Sequence, residues 1–236
     1  MVEEMTLTAE LTLAEVARNL PQAAGVFETL GIDYCCRGAR SLGEAAMNAG
    51  LAPEELIETL LAAQPDGARD WNHRALAELT TFLSADHEVT IRTTLQSVRD
   101  AINAAAEASG APEAKRIASL FASYSLSVTK HMLNEERDLF PLIERVELAA
   151  SNGGTSAPTL RMSQRVLREF VEHEGFREKL RTMRELAWQL GNSPAASALR
   201  ERLRQCSREV HEHIHLENNI LYPRAIEMEN AVKRAV

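Results

Sequence analysis

The stretch HMLNEERDLFP at residues 131–141 is repeated in pattern by HIHLENNILYP at residues 213–223. In each copy a His and a Glu are four residues apart, and a Pro follows six residues after the Glu. Residues at this spacing lie on one face of an α-helix, about 40° apart around the axis and about 6 Å apart along it. The repeat therefore predicts two equivalent helices that each direct a His and a Glu toward one metal cluster.

Long helical periodicity surrounds both motifs from about residue 72 onward. It is interrupted by three loop signals, ASGAP near 108–112, SNGGTSAP at 151–158 and GNSP at 191–194. These breaks leave four helices of about 30 to 38 residues each, and short connections make neighbouring helices antiparallel. The sequence thus predicts an all-α protein whose main part is an up-down-up-down four-helix bundle.

The preceding residues, 10 to 63, read as a compact unit of short helices closed by Gly or Pro, with Thr12 and Pro53 at helix starts. The polar stretch QPDGARDW follows this unit and is typical of a linker. We therefore predict a small helical domain at 1–63, a linker at 64–71 and a bundle at 72–236.

Charge and composition restrict the classes of function. The chain has 34 acidic and 26 basic residues, a formal net charge of −8, which disfavours nucleic acid as a partner. No apolar run reaches the roughly 20 residues that span a bilayer, and the N-terminus lacks the layout of a signal peptide. Three cysteines form no disulfide framework. We expect a cytoplasmic protein that associates with neither nucleic acid nor membrane.

The first and third predicted helices supply one candidate ligand each, His87 and His173. Counted from the nearest loops, all four helical His residues lie at similar depth, within about one turn. A single His in a helix is usually a surface residue. One His per helix at matched depth, with two Glu in identical register, instead indicates a metal site. The predicted ligands are His87, His131, Glu135, His173, His213 and Glu217.

These donors, imidazoles and carboxylates without thiolate, suit iron or manganese and suit zinc less well. Two metals fit better than one, because Glu135 and Glu217 can bridge two cations and reduce their repulsion while two His residues cap each metal. We expect two iron ions, since iron has redox chemistry that zinc lacks. Six side chains leave coordination positions for water, oxide or substrate, so an oxo- or hydroxo-bridged pair is expected.

Other polar residues have weaker positions in the pattern. Glu169 lies one turn before His173 and Glu172 adjoins it, so each is either a partner or proton carrier for the ligands or a solvated surface residue. His211 and His215 are offset from His213 by about 200° around the helix and are expected to be exposed. His73 is expected to lie at the surface or to cap a helix.

Cys35 and Cys36 are adjacent, and their Cα atoms lie about 3.8 Å apart, shorter than the usual disulfide span. A disulfide between them would be strained, whereas free thiols would be soft ligands for iron or nitrosylated iron. Arg37 is expected to favour the thiolate form. The alternative is that one or both cysteines only pack in a core, which is the role we expect for Cys206.

The His and HxxxE pattern from about residue 72 resembles the hemerythrin-like bundles. It departs from the oxygen carriers, which have a second His one turn after the third-helix ligand, where this chain has Arg177. Their last ligand pair is also spaced HxxxxD rather than HxxxE. This difference argues against oxygen carriage.

Nearly the whole chain is similar to the iron–sulfur cluster repair di-iron family. LGIDYCCRGARSLGEAA matches the N-terminal domain of that family, and HMLNEERDLFP and HIHLENNILYPR match its bundle motifs. The resemblance implies a cytoplasmic stress protein that helps to repair damaged iron–sulfur clusters, by iron donation or nitric oxide chemistry at the di-iron site. Cys35 and Cys36 would then be transfer thiols, and the partners would be damaged iron–sulfur proteins and nitric oxide or oxygen species.

Several alternatives stay open from the sequence. The leading hypothesis is a repair protein that acts by iron donation, by nitric oxide chemistry at the di-iron site, or by both, and the sequence does not decide whether it is an enzyme that reduces nitric oxide. A non-catalytic sensor that binds oxygen or nitric oxide is another reading, and a bundle with structural zinc is a third. The sequence does not decide whether the chain forms a homodimer.

Overall fold

The computed structural model describes residues 6–64, 70–152 and 162–235. Within these ranges every regular element is a helix, and Thr12 and Ser41 form an isolated β-bridge. The all-α prediction is therefore confirmed. None of the helices in the described ranges is both long and apolar enough to cross a membrane. The predicted linker at 64–71 and loop at 151–158 fall largely on 65–69 and 153–161, which lie outside the described residues.

Contacts between Cα atoms divide the chain into two units. The first consists of the residues up to Arg74 together with Glu212–Pro223, and the second consists of Ala75–His211 together with Arg224–Val236. The predicted domain boundaries stay a prediction.

Four short helices build the N-terminal part of the first unit: α1 (Leu13–Asn19), α2 (Ala23–Leu30), α3 (Leu42–Asn48) and α4 (Pro53–Ala62).

Helix starts in this unit follow from local sequence. The Thr12 side chain accepts a hydrogen bond from the Glu15 amide, and the Glu15 carboxylate accepts one from the Thr12 amide at 2.8 Å, so the two residues form a capping box. Pro53 occupies the first turn of α4, where a missing N–H costs nothing. Phe27, Tyr34 and Leu60 are buried among the leucines of these helices. Both predicted helix starts are confirmed.

The remaining helices form four long segments, in which α-helices are joined end to end by short π-helical stretches. The first segment contains α5 (Leu76–Val89), π1 (Thr90–Thr94) and α6 (Leu95–Ser109); the second contains α7 (Pro112–Asn134), π2 (Glu135–Leu139) and α8 (Phe140–Ser151); the third is α9 (Met162–Trp188); the fourth contains α10 (Pro194–His215), π3 (Leu216–Leu221) and α11 (Tyr222–Ala235).

Packing in the second unit is that of an antiparallel bundle. Helix α5 packs on α8 while α6 packs on α7, so the first two segments run in opposite directions, and α9 packs on α7. The fourth segment bonds to the first through Thr94 Oγ1, which donates to Glu209 at 2.8 Å. It bonds to the third through Arg200, which donates to the Ala187 carbonyl oxygen at 3.3 Å. The predicted four-helix architecture accounts for these contacts.

Two of the three π-helical stretches precede a proline closely. Pro141 and Pro223 follow π2 and π3 by two residues. Proline lacks the N–H that an α-helix needs four residues earlier, and its ring clashes with that carbonyl. Widening the helix by one residue is a known way to accommodate such a break. The prolines thus explain π2, which begins at Glu135, and π3, which contains Glu217. No proline accounts for π1.

The N-terminus of α5 is capped by a residue from another helix. Glu147 of α8 accepts hydrogen bonds from the amides of Leu76 at 2.7 Å and Ala77 at 3.0 Å. These amides have no partner within their own helix, and the carboxylate also interacts favourably with the helix dipole. Glu147 therefore fixes the start of the first bundle helix against the end of the second.

We predict that Glu147→Ala lowers the free energy of unfolding by about 1–2 kcal/mol, because two helix-terminal amides lose their acceptor. Urea unfolding followed by circular dichroism measures the change. Glu107→Ala is the matched control, since Glu107 is exposed on α6, and it should change stability by less than about 0.5 kcal/mol. Equal stability of the two variants would contradict the capping role.

Candidate metal centre

Four of the predicted ligands meet in the core of the second unit. One carboxylate oxygen of Glu135, Oε2, lies 3.5 Å from Nε2 of His87 and 3.3 Å from Nε2 of His131. Nε2 of His131 lies 2.9 Å from Nε2 of His173. His87, Glu135 and His173 are fully buried, and His131 is nearly so. Glu135 thus stands between imidazoles that come from the first and second bundle segments.

The spacing of these atoms fits ligands around a metal ion. Two nitrogen ligands at about 2.1 Å from one metal and about 90° apart are separated by about 3.0 Å. The 2.9 Å between the Nε2 atoms of His131 and His173 agrees with that value. The ligand atoms of His131, Glu135 and His173 all lie within 4.8 Å of one another. Imidazole and carboxylate donors without sulfur suit iron, so this donor set fits an iron ion.

Aromatic side chains surround the imidazoles. Phe140 stacks on His87 with ring centroids 5.6 Å apart, and Phe176 meets the edge of His131 at 5.0 Å. Tyr124 packs against Phe176 in turn, and its own burial is complete. These rings fix the orientation of the imidazoles and keep water away from one side of the cluster.

The other two predicted ligands belong to the first unit. Nε2 of His213 lies 3.1 Å from Oε1 of Glu217, one helical turn away, and Glu217 is fully buried in π3. His213 and Glu217 are four residues apart in the sequence, as His131 and Glu135 are, and the two pairs are similarly buried. The complete set of six ligands stays a prediction.

Carboxylates outside the cluster orient two of the imidazoles. Nδ1 of His87 lies 2.9 Å from Glu136, and Nδ1 of His131 lies 2.9 Å from Glu172 and 3.2 Å from Glu169. An ionised carboxylate only accepts hydrogen bonds, so each Nδ1 carries the hydrogen and each Nε2 directs its lone pair inward. That tautomer is the one that binds a metal through Nε2.

The environments of the outer carboxylates differ. The hydrogen bond from His131 lowers the pKa of Glu172. Burial, together with the charge of Glu88, raises the pKa of Glu136. Glu169 and Glu172 were candidates from their position beside His173, but the structure places them against His131. Glu136 was missed, although it directly follows the predicted ligand Glu135 in the sequence.

His215 corrects the sequence prediction, which expected it to be exposed. It is buried in the first unit, with its ring 5.4 Å from that of Tyr34. Burial lowers its pKa to about 4. Nδ2 of Asn219 lies 2.9 Å from both Nδ1 of His215 and the Tyr34 carbonyl oxygen, so its two hydrogens serve one acceptor each. His215 does lie off the face that carries His213, as its position in the helix predicts, but residues of the same unit such as Tyr34 cover that side of the helix.

The paired cysteines lie in a loop of the same unit, and both are free thiols. Cys35 is buried, whereas Cys36 is half-buried. The hydrogen bond to Cys36 and burial raise the pKa of Cys35 well above its usual value. The expectation that Arg37 favours the thiolate is therefore wrong for Cys35. Arg37 instead lies 3.8 Å from the Asp33 carboxylate.

Cys206 has the packing role that its sequence position predicted. It is fully buried in the second unit beside the hydroxyl of Tyr124. Burial raises the pKa of this thiol to about 12, so it stays protonated at neutral pH.

Two family models match this chain. Residues 9–64 match the family ScdA_N, described as a domain of unknown function, and residues 73–225 match the hemerythrin HHE cation binding domain.

Three relatives illustrate the similarity, which covers about nine-tenths of this chain. The chain is 28% identical over 225 residues to the iron-sulfur cluster repair protein YtfE of Pectobacterium carotovorum, covering 91% of this chain and 96% of that protein. It is 30% identical over 225 residues to YtfE of Edwardsiella ictaluri, with the same coverage. It is 26% identical over 227 residues to the iron-sulfur cluster repair protein ScdA of Staphylococcus haemolyticus, covering 92% and 98%.

We predict that Glu136→Ala weakens Fe²⁺ binding by about 10- to 100-fold, because His87 loses the carboxylate that fixes its tautomer. Glu172→Ala should have a smaller effect, since Glu169 also lies within reach of His131. Competition with a chelator under anaerobic conditions measures the affinity. Asp138→Ala, an exposed position on the same helical stretch, is the control. Wild-type affinity in the Glu136 variant would show that this contact does not support the site.

We further predict that one thiol, Cys36, reacts rapidly with a disulfide reagent in the native protein. Cys206 should react only after denaturant is added, because it is buried and protonated. Following the released chromophore at pH 8 counts the thiols. Cys36→Ser should remove the rapid phase, and three rapidly reacting thiols in the wild-type protein would contradict the described burial.

Proposed function

The chain belongs to the iron–sulfur cluster repair proteins that join an ScdA_N domain to a hemerythrin HHE cation-binding domain, and we propose that it helps to restore iron–sulfur clusters damaged by nitrosative or oxidative stress. The relatives carry this repair role in their names. The observation that supports it in this chain is the buried cluster of His87, Glu135, His131 and His173.

The proposed site holds two iron ions through His87, His131, Glu135, His173, His213 and Glu217. Support comes from the donor types, the 2.9 Å separation of two imidazole nitrogens, and the burial of both carboxylates. In this proposal Glu135 and Glu217 bridge the two ions. When bound, iron supplies one-electron redox chemistry and a store of Fe²⁺ that can be exchanged.

The surrounding residues have distinct parts in the proposal. Glu136 and Glu172 hold Nδ1–H of His87 and His131 and keep both Nε2 atoms available as ligands. The Glu172 side chain is about half exposed, so it connects Nδ1 of His131 to solvent and can carry a proton between them. Phe140 and Phe176 exclude water from the imidazoles they contact.

Repair by iron donation requires an acceptor route, for which we propose Cys35 and Cys36 as transfer thiols. Three free cysteines suit a reducing compartment, which supports a cytoplasmic location. Damaged iron–sulfur proteins would be transient partners that receive Fe²⁺ as cargo. Nitric oxide reduction at the same site is the second form of the proposed chemistry, and it alone would make the protein an enzyme.

We predict that the wild-type protein binds two iron ions per chain and that Glu135→Leu and Glu217→Leu each reduce this to less than one, because a bridging carboxylate is lost. Metal analysis and visible absorption of freshly purified protein measure the result. Glu178→Leu, at an exposed position on α9, is the control. Unchanged iron content in both variants, or zinc without visible absorption in the wild type, would refute the proposed site.

The two forms of repair are separated by kinetics. Iron donation predicts that the loaded protein reactivates a nitric-oxide-damaged [4Fe–4S] enzyme and loses its own iron in proportion. Nitric oxide reduction predicts many turnovers of nitric oxide per chain with a reductant present. Binding of nitric oxide in a one-to-one ratio, without turnover or reactivation, would refute both forms and favour a sensor.

A further inference from the structure

A second group of potential metal ligands lies in the cysteine loop, entirely within the first unit. Sγ of Cys35 lies 3.8 Å from Sγ of Cys36 and 3.6 Å from Oδ1 of Asp33. The three ligand atoms are all within 4.8 Å of one another. Asp33 precedes Cys35 by two residues, so one short loop supplies two sulfurs and one carboxylate.

These separations match the edges of a tetrahedral metal site. With sulfur at about 2.3 Å and oxygen at about 2.0–2.1 Å from a cation, a tetrahedron has a sulfur–sulfur edge of about 3.8 Å. Its sulfur–oxygen edge is about 3.5–3.6 Å. The Cys35–Cys36 and Cys35–Asp33 separations reproduce these values, and Sγ of Cys36 lies within 4.8 Å of the Asp33 carboxylate oxygen. The sulfurs of Cys35 and Cys36 and the carboxylate oxygen of Asp33 are therefore close enough together to serve as three corners of a coordination tetrahedron.

Side chains hold the loop in this conformation. Three successive carbonyl oxygens each accept a hydrogen bond: that of Asp33 from Arg40, that of Tyr34 from Asn219 and that of Cys35 from Asn218. The Asp33 carboxylate itself accepts from the Cys36 amide at 3.1 Å. The ligand atoms are thus preorganised by a supporting layer of bonds, as a metal site requires.

Close packing at Gly38 restricts the loop further. A Cβ at this position would lie 2.6 Å from Oδ1 of Asn219 and 3.1 Å from the Tyr34 carbonyl oxygen. The Gly38 carbonyl also accepts a hydrogen bond from the Ala14 amide at 2.9 Å. The loop is therefore anchored to α1 and to π3 without room for a side chain at this turn.

Charge and access also suit a cation. Arg37 lies 3.8 Å from Oδ2 of Asp33, and its side chain is more than half exposed, so this ion pair is weak. Cys35 is buried, whereas Cys36 is only half-buried, so solvent reaches the pair at Cys36. A cation can therefore approach the group from the side of Cys36.

We propose that Asp33, Cys35 and Cys36 form a second metal site, which binds one divalent cation of thiophilic or borderline character and keeps one coordination position open for exchange. This inference extends the proposed iron donation by giving the transfer thiols a third ligand. The loop site depends on the proposed iron donation only for the identity of its natural cation, Fe²⁺.

Binding at this site is a proton and ligand exchange without electron transfer. Each thiol loses its proton to water as a metal–sulfur bond forms, and the Asp33 carboxylate adds a metal–oxygen bond. Two thiolates and one carboxylate around a divalent cation give a net charge of −1. A thiolate of the acceptor protein takes the fourth position, and the loop ligands then leave as further acceptor ligands bind.

Co²⁺ alone is the probe, added to the full-length, reduced, metal-free protein under anaerobic conditions. Thiolate ligation gives a sulfur-to-metal charge-transfer absorption in the near ultraviolet that a His and Glu site cannot produce. We expect the final intensity of this band to correspond to one thiolate-bound Co²⁺ per chain, in addition to any Co²⁺ that the His and Glu residues bind without producing it. Its absence in the wild-type protein would overturn the proposal.

Three variants assign the ligands. Cys36→Ser should abolish the band or reduce its intensity to that of a single thiolate ligand. Cys206→Ser should leave the band unchanged. Asp33→Asn retains an oxygen acceptor for the Cys36 amide, and hence the turn, but loses the charged ligand. It should weaken Co²⁺ binding at least about tenfold. Wild-type affinity in Asp33→Asn, or a band that depends on Cys206, would overturn the assignment.

Iron content separates this proposal from that of the bundle. Asp33→Asn should retain the bundle iron and its visible absorption while it loses affinity for Co²⁺ at the loop. A charge-transfer band in a protein whose bundle binds no iron would leave the loop site intact and refute the di-iron function. Normal iron content in the bundle without a charge-transfer band would leave the di-iron function intact and refute the loop site.

Discussion

The free-energy cost of burying ionisable side chains constrains the whole molecule. His87, Glu135, His173 and Glu217 have no exposed surface. An ionised carboxylate that is removed from water without a compensating charge costs several kcal/mol. Bound cations supply that compensation most directly, so metal binding and the stability of these buried positions are linked. Long helices, and aromatic rings packed against the imidazoles, hold these buried side chains in fixed positions.

The repeated motif shapes the backbone as well as the ligand set. In each copy, the proline six residues after the Glu has no N–H for the helix. The first copy contains a π-turn at Glu135–Leu139, and the second contains one at Leu216–Leu221. A π-turn rotates the residues after it relative to an unbroken α-helix. The helix can therefore present its Glu to the core and still continue with a buried apolar face, as Phe140 and Tyr222 demonstrate by their burial.

Much of this arrangement could be predicted from the sequence because it depends on local periodicity. The helical segments, the helix starts at Thr12 and Pro53, and the packing role of Cys206 follow from spacing and local chemistry. Contacts between distant segments were less accessible. The hydrogen bond from His87 to Glu136 depends on how two helices are rotated, and the burial of His215 depends on Tyr34, far away in the sequence.

The two copies of the motif differ most informatively at the residue that follows the Glu. In the first copy that residue is Glu136, whose carboxylate holds Nδ1 of His87. In the second copy it is Asn218, whose amide donates to the Cys35 carbonyl oxygen at 3.1 Å. A carboxylate there could not donate this bond and would be buried with like charge nearby. The position therefore supports the His87 imidazole in one copy and the thiol loop in the other. In the second copy, the buried Glu217 and the residue that holds the cysteine loop are neighbours in the same helical turn.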